Sequence, residues 1–158
     1  MIIHTTDSIS IEVEKRVIIA GRVSCNFESS RDIDIQLWEI EKTLLNDVEF
    51  KTTTDLDGNF YMDTTVKDYF TDDLELVVKI FHQCNVKDAT ICYNVVEILI
   101  PTIFFNQKKD SEESYTPTAY NLGTIELNTN HPIQRRSCSH ILGSTINRYI
   151  EFGLKFLS

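Results

Sequence analysis

Val17-Ile18-Ile19-Ala20-Gly21-Arg22-Val23-Ser24-Cys25 decides the fold, because its apolar residues recur at every second position. Val17, Ile19, Val23 and Cys25 share one face with the small Gly21, and Arg22 and Ser24 point the other way. A period of two is the signature of a half-buried strand, since successive side chains leave a strand on opposite faces. The same pattern repeats outward along the chain. Ile33, Ile35 and Leu37 alternate with Asp32, Asp34 and Gln36, and Val48, Phe50 and Thr52 with Glu49, Lys51 and Thr53. Phe60 and Met62 alternate with Asn59, Tyr61 and Asp63; Leu76, Val78 and Ile80 share a face, as do Val96, Ile98 and Ile100. Tyr120–Leu127 supplies the last run. The runs predict an all-β, antiparallel β-sandwich of about seven to eight strands.

The connections agree with that reading. Asp55-Leu56-Asp57-Gly58 lies between two runs and can turn the chain, with Gly58 free to take a positive φ. Pro101 stops the run that ends at Ile100, because proline cannot donate to a ladder. Lys67–Asp73 carries a weak helical signal, and Asn106–Pro117 is polar, charged and unpatterned, which reads as a long exposed loop. In the tail, Leu142, Ile146, Ile150 and Leu154 recur every fourth residue with Leu157 beyond them, predicting a short, weakly amphipathic C-terminal helix. Gly143 and Gly153 weaken that helix, and a poorly ordered terminus is the alternative.

A chain of 158 residues with 42% hydrophobic and 25% charged content has enough material for one core. The formal charge of −9 argues against nucleic acid, whose phosphates require a basic surface. That charge is uneven: residues 128–158 carry Arg135, Arg136, Arg148 and Lys155 against Glu151 alone, so the rest of the chain is more acidic than the whole. The shift divides the sequence into an N-terminal extension or first edge strand (1–16), a sandwich (17–127) and a basic tail (128–158). No apolar run is long enough for a transmembrane helix. Met1-Ile2-Ile3 is followed by polar residues, then Glu12, Glu14, Lys15 and Arg16, so no signal peptide is visible.

Candidate chemistry is sparse. Asp55-x-Asp57-Gly58 resembles the start of a calcium loop, but the twelfth position, where a bidentate Glu is needed, is Val66. A hairpin turn is the preferred reading. His4, His82, His131 and His140 show no metal-ligand spacing among themselves. His82, Cys84 and Cys92 form the one weak zinc candidate, against which a disulfide beside a hydrogen-bonded histidine is preferred. No nucleophile elbow, P-loop or zinc-protease motif occurs, so neither catalysis nor a cofactor is expected. No Asn-x-Ser/Thr sequon occurs. By strand parity Cys25, Cys84 and Cys92 point to the apolar side, and the short connection from Cys84 to Cys92 favours a disulfide between them. Closing that loop would contribute about 2–3 kcal/mol in the chain-entropy model. Cys25 then either reaches Cys138 or stays reduced.

Several stretches, in this order, resemble the nematode transthyretin-like family. They are Gly21-Arg22-Val23-Ser24-Cys25, Ile35-Gln36-Leu37-Trp38-Glu39 and Thr54-Asp55-Leu56-Asp57-Gly58-Asn59-Phe60. Then come Leu76-Val77-Val78-Lys79-Ile80-Phe81-His82-Gln83-Cys84-Asn85, Cys92, the strand into Ile100-Pro101, and Asn121-Leu122-Gly123-Thr124-Ile125-Glu126-Leu127. Asp55, Gly58, Phe60, Lys79 and His82 are the motif residues that stand out, while Gln83 replaces the family's usual Asp. The resemblance implies a transthyretin-like sandwich, secretion or cell-surface location, and a binding role; one member bridges exposed phosphatidylserine and a phagocyte receptor. A related branch hydrolyses 5-hydroxyisourate with histidines, an arginine and a C-terminal Tyr-Arg-Gly-Ser/Thr. This chain ends Lys155-Phe156-Leu157-Ser158 and holds no Tyr-Arg-Gly.

The sequence therefore predicts a secreted, non-enzymatic module that binds a lipid, a small apolar ligand or a cell-surface partner. A 5-hydroxyisourate hydrolase and a structural extracellular oligomer are the alternatives. Contacts are expected on the loops Asn26–Arg31, Lys67–Asp73 and Asn106–Pro117, since recognition concentrates on loops held by a rigid scaffold.

Overall fold

The structure is a computed structural model and describes residues 13–40, 46–68, 74–87, 91–105, 117–131 and 134–138. The described residues form nine strands: β1 (Val13–Cys25), β2 (Glu28–Ser29), β3 (Asp34–Ile40), β4 (Asp47–Thr53), β5 (Asn59–Asp68), β6 (Glu75–His82), β7 (Cys92–Leu99), β8 (Tyr120–Glu126) and β9 (Gln134–Cys138). A single 3₁₀ turn, Thr102–Phe104, follows Pro101. One sheet is built on β1, which pairs with β5, with the short β2 and with β8. The second sheet runs β4-β3-β6-β7-β9. The sandwich is thus as expected, with two additions that sequence alternation missed. β2 is too short to show a period, and β9 lies inside the segment read as a basic tail. β8 joins β1 in parallel, whereas the other pairings are antiparallel.

The alternating residues face each other between the sheets. Val17, Ile19, Val23 and Met62 from the first sheet and Ile35, Leu37, Leu76, Val78 and Ile80 from the second are all wholly buried. At roughly 1.5–3 kcal/mol per large apolar side chain removed from water, this double row is the main source of cohesion. Gly21 sits where β1 shifts register against β8. A Cβ there would lie 2.7 Å from the Phe60 ring, so the glycine lets that ring reach the core. Phe60, one of the motif residues, is a packing residue.

The five-stranded sheet also buries side chains on its outer face. Lys79, paired in register with both Gln36 and Glu97, is 8% exposed. Its ammonium lies 4.2 Å from the Trp38 ring centroid and 3.6 Å from a Glu97 carboxylate oxygen, which Arg135 of β9 also contacts. The Trp38 indole N–H donates to Gln36 Oε1 at 3.0 Å. A buried cation is tolerated when aromatic and carboxylate partners replace its hydration, and these do. Lys79, another motif residue, therefore holds the outer face of this sheet.

Three expectations meet the structure differently. Lys67 and Asp68 end β5 rather than opening a helical turn, and 69–73 lie outside the described residues. The exposed loop 106–116 and the C-terminal helix over 142–157 also lie outside them. The disulfide expectation is corrected: Cys84 pairs with Cys25, and Cys92 pairs with Cys138. Strand parity gave the face but not the neighbour. Cys84 lies beyond the end of β6, where the end of β1 meets it at 5.8 Å between Cα atoms. Cys92 is directly opposite Cys138 in the β7–β9 ladder, a pairing that exists because β9 extends the sheet.

Candidate functional site at the disulfide end

Sequence-singled residues converge at one end of the sandwich. Asp55 and Gly58 form the β4–β5 turn there. The Asp55 carboxylate accepts hydrogen bonds from the Asp57 and Asn59 backbone N–H groups at 3.0 and 2.8 Å, and Gly58 takes φ +78°. A Cβ on Gly58 would lie 2.4 Å from the Val23 carbonyl oxygen, so both conformation and close approach demand glycine. Asp55 thus spends its carboxylate on a turn of its own backbone. Arg22 ties this turn to the β1–β2 hairpin, donating to the Asp57 carbonyl at 2.9 Å and to the Ser29 hydroxyl.

That hairpin is unusual. Its two central residues, Asn26 and Phe27, have φ of 54° and 66°. Positive φ at both central positions is the pattern of a type I′ turn, in which glycine normally takes the second place. A bulky residue there is strained and persists only where its surroundings hold it. The Glu126 carboxylate does so. It accepts from the Asn26 and Phe27 backbone N–H groups, each at 2.8 Å, from the Ser24 hydroxyl at 2.8 Å and from the Asn128 N–H at 3.0 Å. Burial pushes this carboxyl's pKa up, but the hydrogen bonds from Asn128, Phe27, Ser24 and Asn26 outweigh it and hold the group below its ordinary value. Asn26 and Asn85 exchange side-chain amide bonds at 3.2 and 2.9 Å, and Asn85 also donates to Asn128 at 2.7 Å. With the Cys25–Cys84 disulfide beside them, these contacts present Phe27 at 89% exposure. Leu56, on the neighbouring turn, is 74% exposed.

Beneath this tip is a cavity of about 320 Å³ lined by Cys25, Cys84, Ile33, Phe81, His82 and Leu127, with Ser30, Gln83 and the exposed Arg31 and Asp32 completing it. His82 ends β6 on the same side as Leu76, Val78 and Ile80 and is 1% exposed. Among the described residues, neither of its ring nitrogens has a hydrogen-bond partner. Burial, with a smaller contribution from the charge of His131, lowers its pKa to about 4, so the ring is neutral at physiological pH. The expected hydrogen-bonded strand histidine is thus a buried histidine without a partner. Nor do His82, Cys84 and Cys92 make a zinc site, since both sulfurs are committed to different disulfides. His131 donates through its Nε2–H to the Glu126 carbonyl at 2.9 Å, and His4 and His140 lie outside the described residues.

The ordered strand-and-turn motifs that build this end are those of a known family. A family model described as "Transthyretin-like family" matches residues 20–101, just over half of the chain. The chain belongs to the transthyretin-like family. No curated protein matches. Among solved structures, the crystal structure of a 9R-lipoxygenase from Cyanothece PCC8801 aligns with a TM-score of 0.40 and 18% identity. That alignment covers 71% of this chain and 16% of the lipoxygenase chain.

Two features of the family member's site were not legible in its sequence. The Asn26-Phe27 turn lacks the glycine that marks such hairpins. Glu126 was visible only as a member of the closing Asn121–Leu127 motif, and its role depends on β8 lying parallel to β1 so that Ser24 stands opposite it.

Proposed function

We propose that this transthyretin-like chain is a secreted, non-enzymatic binding module. It docks through the disulfide end onto a lipid, a small apolar ligand or a cell-surface protein. The observation that carries this reading is Phe27, an aromatic side chain held out at 89% exposure on a strained turn. Strain of this kind costs stability and collects where function requires a fixed shape. Aromatic side chains are also the commonest anchors of binding sites. Two disulfides support an extracellular location, because such bonds persist in oxidising compartments. Acidic Glu28, Asp55 and Asp57 around the tip disfavour attraction to an anionic surface.

The test uses the oxidised, fluorescently labelled chain with intact cells, with phosphatidylcholine vesicles and with phosphatidylcholine–phosphatidylserine vesicles, each with and without calcium. The reading expects saturable binding to at least one of these, weakened about tenfold or more by Phe27→Ala. Absence of binding to all of them, or equal binding by Phe27→Ala, would overturn the docking tip.

A further inference from the structure

We propose that residues 139–158 dock as an amphipathic helix on the outer face of the five-stranded sheet, seating Leu142, Ile146, Ile150 and Leu154 against Phe81, Tyr93 and Val95. The inference stands apart from the docking tip, which projects from the other sheet. It begins with strand parity. Val78 and Ile80 face the core, so Phe81 faces outward from β6. Val95 lies directly opposite Phe81 in the ladder, and Tyr93, two positions away on β7, shares that face. The Phe81 and Tyr93 ring centroids are 6.1 Å apart. The three residues form a second apolar cluster, separate from the core between the sheets.

The outer face of a two-layer sandwich ordinarily meets water. Tyr61, on the outer face of β5, does so at 58% exposure. Phe81, Tyr93 and Val95 are instead exposed by only 2%, 1% and 2%. Strands beside a ring in the same sheet shield its flanks but not its outward tip. The described neighbours of β6 and β7 are β3 and β9, both in that sheet, and the other sheet covers the opposite face. A further layer therefore lies over the cluster.

Position picks out the segment that supplies it. Residues 139–158 follow Cys138, which is both in register with Cys92 and bonded to it, so they leave the sheet beside Tyr93. As a helix they would extend about 30 Å, whereas the path from β9 across β7 and β6 to β3 is about 14 Å. Leu142, Ile146, Ile150 and Leu154 recur on one side of that helix, with Arg148, Glu151 and Lys155 on the other. The remaining segments are worse placed. Residues 1–12 and 106–116 lead into β1 and β8 of the other sheet. Residues 41–45 and 69–73 join strands at the far end of β6, where Ile40 stands opposite Glu75. Residues 88–90 are too few to span the cluster. Uncovered, these rings would be an apolar patch open to association, and the tail closes it from within the chain.

The experiment records nuclear Overhauser contacts from the Phe81 and Tyr93 rings in the full, oxidised, isotope-labelled chain. Contacts to the methyl groups of Ile146 and Ile150 are expected. None should appear in the isotope-filtered spectrum of mixed labelled and unlabelled chains, which reads contacts between copies. Tetranitromethane gives a second readout: Tyr61 should be nitrated and Tyr93 protected. Ile146→Asp with Ile150→Asp should abolish the protection of Tyr93, leave the rate at Tyr61 unchanged and keep the β1 and β6 amides slow to exchange. Should that variant not fold, the Overhauser contacts of the unsubstituted chain decide the matter alone. Ring contacts to another segment, to a second copy or to nothing beyond the sheet would each overturn the proposal, as would equal protection of Tyr93 in the folded variant.

Discussion

Glu126 and His82 lie at the same end of the sandwich and are treated in opposite ways. The carboxylate of Glu126 accepts four hydrogen bonds, from Ser24, Asn26, Phe27 and Asn128. The imidazole of His82 accepts and donates none among the described residues. The difference teaches what each region does. Around Glu126 the polar groups are used up in holding a strained turn, which leaves the Phe27 ring exposed. Around His82 the imidazole is buried and its hydrogen-bonding capacity goes unused among the described residues.

The largest way to break the comparison is to remove what the two regions share. Cys25→Ser with Cys84→Ser opens the bridge that borders both the tip and the cavity. With the cysteines 59 positions apart in the chain, the chain-entropy model gives a loss of about 4 kcal/mol. Chemical denaturation should show it as a lower midpoint, and backbone amides of both Phe27 and His82 should exchange faster. Loss confined to one region would show that the other is held independently.

Next in size is the response to acid. The pKa of His82 is lowered to about 4 in the folded chain from the ordinary histidine value of 6.5. Between those values the unfolded chain binds more protons, so stability rises with pH across that window and is fully present above about 6.5. The span corresponds to roughly 3 kcal/mol lost on acidification from near neutrality to pH 4. Denaturation midpoints through that range, compared with His82→Phe, check it: the variant should lack this part of the slope. An identical slope in the variant would place the acid sensitivity elsewhere.

A third substitution separates general packing from this end of the molecule. Gly21→Ala puts a methyl group 2.7 Å from the Phe60 ring and should destabilise by roughly 1–3 kcal/mol. The His82 ring resonances and the exchange of the Phe27 amide should be unchanged. The smallest effect has the opposite sign. Phe27→Gly relieves the positive φ of 66° and should stabilise by up to about 1 kcal/mol while weakening docking. Raised stability together with undiminished binding would show that the strain serves no contact.

Inner strand rows were readable because burial on one face leaves a period of two: Val17 and Ile19, Leu76 and Val78 face the core as the alternation required. The Asp55–Gly58 turn was readable for an equally local reason, a side chain capping its own backbone. What the sequence hid was partnership across distance. Parity placed Cys84 on the apolar side but could not show that Cys25 would be nearer than Cys92. Nor could it show that Gln134–Cys138 would leave the tail to become a strand, because QRRSC has no apolar rhythm. His82 was visible as a motif residue, but its lack of a partner is a property of the packed end and leaves no trace in spacing.

The parallel seam between β1 and β8 has a consequence for the order of assembly. Ser24 meets Glu126 across about a hundred residues of chain, whereas β1 and β5 meet after a much shorter excursion. One edge of β1 can be zipped while the other still waits for β8. Until β8 joins it, that edge offers open backbone to any neighbour. The turn carrying Phe27 gains its carboxylate support at the same late moment. Sheet pairing with β5 and much of the core can therefore form before the Phe27 turn is held.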